Sequence, residues 1–165
     1  MNDNKYIFLD IDGVLSTDKE FMMSVVNFHK KKPYARELRI PYPFNNDCVK
    51  IFNEILEKTN SNIILTSTWR IIWDLDELDK IFKFNGVNKS PIDKTEQIKR
   101  KMSSSLSDDR QWEIKKYIEN HNITKWVAID DYNLKDLSPN FVQTNDIEGL
   151  KEKGIKKKII NLLNS

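Results

Sequence analysis

The sequence predicts an α/β protein, a three-layer sandwich built around a parallel sheet. Two observations predict it. Three short apolar runs, at 6–11, 62–67 and 125–130, are rich in β-branched or aromatic residues and end in polar residues on their C-terminal side. Helix-length sequence separates each run from the next, which is the spacing of buried parallel strands joined by crossover helices. FVQT at 141–144 is a weaker fourth strand.

The first run ends at position 11, turns at Gly13 and is followed by an extended insertion. Its part from 30 to 45 holds three of the five prolines, three lysines and two arginines, a composition that opposes regular structure. A helix then follows, with Asn46 or Asp47 as cap and Val49, Phe52, Ile55 and Leu56 on one face. After the second strand, Asp74 caps a helix with an apolar stripe of Leu75, Leu78, Ile81 and Phe82, ending near Gly86. The stretch from 86 to 106 reads as a loop-rich connection. Ser107 is placed as the cap of the next helix, whose stripe is Ile114, Tyr117, Ile118 and His121. The last helix covers Ile155 to Leu163, and Lys156 to Lys158 form its solvated face. No repeat or linker divides the chain, so residues 1–165 are expected to form one domain with 16–45 as an insertion or flap.

Composition narrows the class. The chain is 39% hydrophobic and 32% charged, which favours a soluble globular protein over a disordered one. A net charge of +2 is too even to argue for nucleic acid or membrane on its own. The lone cysteine, Cys48, excludes an internal disulfide and reads as a small core residue. No apolar run is long enough to span a bilayer. The N-terminal apolar stretch stops at an aspartate without a signal-peptide pattern, and the expected location is cytoplasmic.

The first strand ends Phe8-Leu9-Asp10-Ile11-Asp12-Gly13-Val14. Ligands of parallel sheets bind beyond the carboxyl ends of the strands. Two carboxylates there need a cation or a shared proton, and hard oxygen ligands suit magnesium. A solvated polar turn is the plain alternative. A calcium loop is disfavoured because Val14 and Leu15 stand where oxygen ligands would be wanted.

The segment FLDIDGVL resembles the first motif of the haloacid dehalogenase (HAD) superfamily, an apolar strand followed by Asp-x-Asp-Gly. The resemblance implies a Rossmann-like sheet, Asp10 as the nucleophile toward phosphorus and Asp12 as general acid and base. It also implies the order of the remaining motifs. Ile63-Ile64-Leu65-Thr66-Ser67-Thr68-Trp69-Arg70 matches the second, with Thr66 as the phosphoryl-binding hydroxyl and Ser67 as the alternate. A helix cap would use the same residue types. Arg110, 20 residues before Asp130, fits the basic third motif by position, with Lys115 as competitor and Lys94 behind it. Trp126-Val127-Ala128-Ile129-Asp130-Asp131 matches the fourth. Asp130 and Asp131 would there complete a metal site with Asp10 and the Asp12 carbonyl; a frame of Asp131 with Asp136 is the other option. Receiver domains use similar groups, but their acidic pair precedes the threonine.

Within the superfamily, the segments at 66–70, 110–114, 128–131 and 144–150 are similar to those of a small group associated with RNA repair proteins. The likeness runs from Lys5 to Leu150, apart from 16–45, and departs at Tyr132, where that group has a third aspartate. Polynucleotide kinase-phosphatases share the general scheme. The expected activity is magnesium-dependent removal of a terminal phosphate from RNA or DNA through an aspartyl-phosphate. A phosphatase of nucleotides or other small esters is one alternative, and a non-catalytic binding module another. No large cap domain is visible, which suits a bulky substrate. Arg70 and Trp69 are placed to touch substrate, although Trp69, Trp73 and Trp112 also suit the core. Lys30, Lys31, Lys32, Arg36 and Arg39, with Tyr34 and Tyr42, could follow a phosphate backbone or simply form a charged loop. No obligate protein partner is inferred.

Overall fold

Alternation along each strand decides the architecture. A computed structural model describes residues 4–17, 30–32, 34–40, 43–98 and 104–165. Its sheet contains β1 (Lys5–Leu9), β2 (Asn62–Leu65), β3 (Pro91–Lys94), β4 (Lys125–Asp130) and β5 (Phe141–Gln143), in the order β3-β2-β1-β4-β5. Every adjacent pair is parallel. Successive side chains in a strand point to opposite faces. Ile7, Leu9, Ile63, Leu65, Val127 and Ile129 accordingly join one core cluster, whereas Phe8, Ile64 and Ala128 join the other.

Helices cover both faces. The described helices are α1 (Tyr34–Glu37), α2 (Asn46–Thr59), α3 (Trp69–Ile72), α4 (Leu75–Phe84), α5 (Leu106–His121) and α6 (Ile155–Asn164). The first cluster takes Phe52 and Ile55 of α2, Leu78 and Phe82 of α4, and Ile159 and Leu163 of α6. The second takes Ile114 of α5, with Tyr117 and Ile118 packed against it. The three-layer α/β expectation therefore holds. Among the described residues nothing forms a cap domain.

Four local expectations need correction. Asn45, not Asn46 or Asp47, caps α2, because its side chain accepts from the Asp47 and Cys48 amides. Ser105, not Ser107, caps α5, in a reciprocal box with Asp108. His121 is exposed and stacks on Tyr117 with ring centroids 3.9 Å apart, so it lies outside the buried stripe. The stretch read as loop contains β3. Its sequence, PIDK, opens with proline and lacks apolar alternation, which an edge strand tolerates and a central one does not.

The insertion leans on α4. Tyr34 packs edge-on to Phe84 at 5.1 Å, Lys32 lies 5.1 Å over the same ring, and Arg39 pairs with Glu77 at 3.3 Å. Lys30, Lys31 and Arg36 are exposed. Tyr42 and residues 18–29 lie outside the described residues. Trp69 and Trp73 are core residues, whereas Trp112 is exposed. Cys48 is buried, and burial pushes its thiol above its usual range. No described helix is long and apolar enough to cross a membrane.

Candidate active site

Register brings the motifs together. Leu9 pairs with Leu65 on one side and Ile129 on the other. One residue further, the Asp10 amide donates to the Ile129 carbonyl at 3.0 Å and the Thr66 amide to the Leu9 carbonyl at 2.9 Å. Asp10, Thr66 and Asp130 thus emerge level at the carboxyl ends of three neighbouring strands. The strand order reverses at this point, leaving a crevice between the crossovers on either side of β1.

Carboxylate oxygens of Asp10, Asp130 and Asp131 lie within 4.8 Å of one another. Asp10 and Asp130 are almost fully buried. Charges this close repel strongly. Burial, and then the neighbouring Asp10, raises the pKa of Asp130 well above the ordinary carboxylate range. The same two causes push Asp131 up to about 6. Such a cluster calls for a cation, and a set of hard oxygens fits magnesium.

Arg110 supplies one positive charge. Its Nη1 donates to Asp130 Oδ2 at 2.7 Å and lies 3.0 Å from Asp10 Oδ2. Burial works against that charge, but Asp10 and Asp130 together outweigh it and raise the guanidinium pKa. Lys115 is exposed on α5. Lys94 donates to the Arg70 and Trp73 carbonyls at 2.8 and 2.9 Å, closing the end of α3. Of the three basic candidates, Arg110 is the one that contacts the carboxylates. Asp136 is exposed on a separate turn, where its amide bonds Gln111 at 2.8 Å, and Asp131 clusters with Asp10 and Asp130.

Two oxygens in the site are buried without a hydrogen-bond partner, Asp10 Oδ1 and Thr66 Oγ1. Buried polar atoms are nearly always satisfied, so an orphan pair at the end of adjacent strands marks a place for a ligand. Ser67 Oγ accepts from the Trp69 amide at 3.4 Å, a turn-forming role. Thr68 sits at the cap position of α3 without a side-chain cap bond.

Asp12 leaves the strand line. The turn that carries it is closed by the Leu15 and Ser16 amides on the Ile11 carbonyl, both at 2.9 Å. Its carboxylate stands outside the cluster of three, and Trp69 Nε1 donates to it at 3.1 Å. Gly13 has φ +72, and a Cβ there would lie 2.6 Å from Asp131 Cβ, so the first motif gives way to the fourth at this glycine. Thr144 Oγ1 holds the Gly13 carbonyl at 2.9 Å from the far side.

Arg70 does not reach into the site. Nε donates to the Thr95 carbonyl at 3.1 Å, Nη1 to the Thr66 and Ser67 carbonyls, and Nη2 to Glu113 at 2.5 Å. Glu113 also accepts from the Ile98 amide at 3.1 Å. Burial dominates for both partners, lowering the pKa of Arg70 and raising that of Glu113 against their mutual attraction. This buried pair ties the ends of β2 and β3 to α5, one turn after Arg110. Arg70, expected to touch substrate, is thus also an internal strut, with four bonds from its guanidinium staying within the protein.

The sequence reading singled out Trp69 but missed the bond of its indole to Asp12, and it missed the Arg70–Glu113 strut and the bond of Thr144 to Gly13. A buried tryptophan needs a partner for its N–H, which is the one signal that pointed toward Asp12.

A family model described as "HAD domain in Swiss Army Knife RNA repair proteins" matches residues 6–155. No curated protein and no solved structure matches the chain.

Proposed function

The chain belongs to this family of HAD domains found in Swiss Army Knife RNA repair proteins, and from that premise we propose that it is a magnesium-dependent phosphomonoesterase that removes a terminal phosphate from RNA or DNA. The observation that carries the proposal is the conjunction of three clustered carboxylates with two unpartnered buried oxygens, Asp10 Oδ1 and Thr66 Oγ1. A merely structural cluster would satisfy those oxygens internally.

In this reading Arg110 fixes one oxygen of Asp10, leaving Oδ1 to attack phosphorus in line. Asp12, oriented by the Trp69 indole, protonates the departing oxygen. It then takes a proton from the water that hydrolyses the aspartyl-phosphate, releasing inorganic phosphate and restoring Asp10. Thr66 donates to an equatorial phosphoryl oxygen, and Arg110 offsets its charge. Ser67 is the alternate hydroxyl for that contact. Asp10, the Asp12 carbonyl, Asp130 and Asp131 would hold magnesium. Its charge, when bound, lets an anionic ester approach the carboxylates.

Phosphate release from 3′- and 5′-phosphorylated oligonucleotides tests this, with magnesium and with excess chelator. Release from at least one end, abolished by chelator, is expected. Faster turnover of free mononucleotides or sugar phosphates would reassign the substrate to small esters. No release from any phosphomonoester would leave a binding module.

A further inference from the structure

We propose that the ring of Tyr132 is a stacking platform for the nucleobase next to the scissile phosphate, which makes a base-bearing phosphate ester the substrate of this site. The inference rests on the phosphatase reading above and names what that reading leaves open, the residue that receives the base beside the phosphate.

Tyr132 follows Asp131 directly, at the rim of the carboxylate cluster. Its amide donates to Asp130 Oδ1 at 2.9 Å, which fixes the backbone. The Arg110 guanidinium lies 5.1 Å from the ring centroid. The same guanidinium contacts Asp10 at 3.0 Å, so the ring stands one guanidinium away from the nucleophile. Yet Tyr132 is 39% exposed. Arg110 is itself held by two carboxylates, so the ring rests on an immobilised cation and gives up little freedom on binding.

A fixed ring beside a phosphate site selects for planar groups. Stacking a base on such a ring strengthens binding by roughly five- to hundredfold, with little dependence on base identity. A glycerol or sugar phosphate offers no plane to place there.

Calorimetric titration of the Asp10→Asn protein with magnesium separates the possibilities, because that substitution removes the attacking carboxylate and turnover with it. The probes are a 3′-phosphorylated dinucleotide, glycerol phosphate and a phosphotyrosine peptide. Adding Tyr132→Leu, which keeps bulk over Arg110 but no plane, is expected to lower the dinucleotide-to-glycerol-phosphate affinity ratio about tenfold or more. Adding Tyr132→Phe is expected to keep it. An unchanged ratio in Tyr132→Leu overturns the proposal. So does an equal loss in Tyr132→Phe, which would assign the effect to the hydroxyl, or tighter binding of the phosphopeptide than of the dinucleotide. Phosphate release by the wild-type protein is measured in parallel. Its absence with the ratio effect intact would overturn the phosphatase reading and leave the platform standing.

Discussion

The proposed function gives individual atoms at this site separable jobs, and three substitutions, with Lys115→Ala as the control, distinguish them. Gly13→Ala forces a methyl group to within 2.6 Å of Asp131 Cβ in a left-handed backbone. It should displace Asp131 and lower turnover by about a hundredfold, read by steady-state kinetics, while the far-ultraviolet dichroism stays native. Trp69→Phe keeps most of the buried ring but removes the donor to Asp12. Its kcat should fall roughly tenfold or more, since Asp12 loses the bond that aims it. Arg110→Ala leaves Asp10 and Asp130 facing each other without their guanidinium. Breaking a buried pair of this kind costs about 3–5 kcal/mol, and magnesium should raise the melting temperature of this variant more than that of the wild type. Lys115→Ala, on the exposed face of α5, should change neither quantity.

At the scale of elements, the site depends on how helices are anchored to strand ends. Asn45 caps α2 with two amide bonds, so Asn45→Ala should cost about 1 kcal/mol in chemical denaturation. Strand β1 and the ends of β2 and β4 were legible in the sequence because each apolar run is buried toward its C-terminal end and stops at the polar residues of the candidate site. Strand β3 was not, because PIDK carries no apolar periodicity and its place is set by pairing with β2. The caps of α2 and α5 were displaced by one or two residues because several Asn, Asp and Ser residues compete locally, and only hydrogen bonding decides among them. The carboxylates were legible for the same reason as the strands. The inward turn of Arg70 was not. Its partners are three backbone carbonyls and Glu113, 43 residues away, and no sequence pattern encodes that convergence.

For the whole molecule, a five-stranded parallel sheet acts as the frame that brings residues 10, 66 and 130 level. Helices on both faces bury alternate residues of the three central strands, so a one-residue slip would send their core side chains to the wrong layer. That penalty fixes the register, and the register fixes the distances among the carboxylates. The frame is thus assembled before any ligand arrives, which is the condition for electrostatic catalysis. The most direct test of the central claim is to trap the phosphoryl group on the protein. Wild-type protein is mixed with magnesium and a terminally radiolabelled oligonucleotide, quenched in acid within milliseconds, digested and mapped by mass spectrometry. The label should sit on the peptide containing Asp10 and be absent from Asp10→Asn. Rapid phosphate release with no labelled protein, or a label on any other residue, would contradict the account.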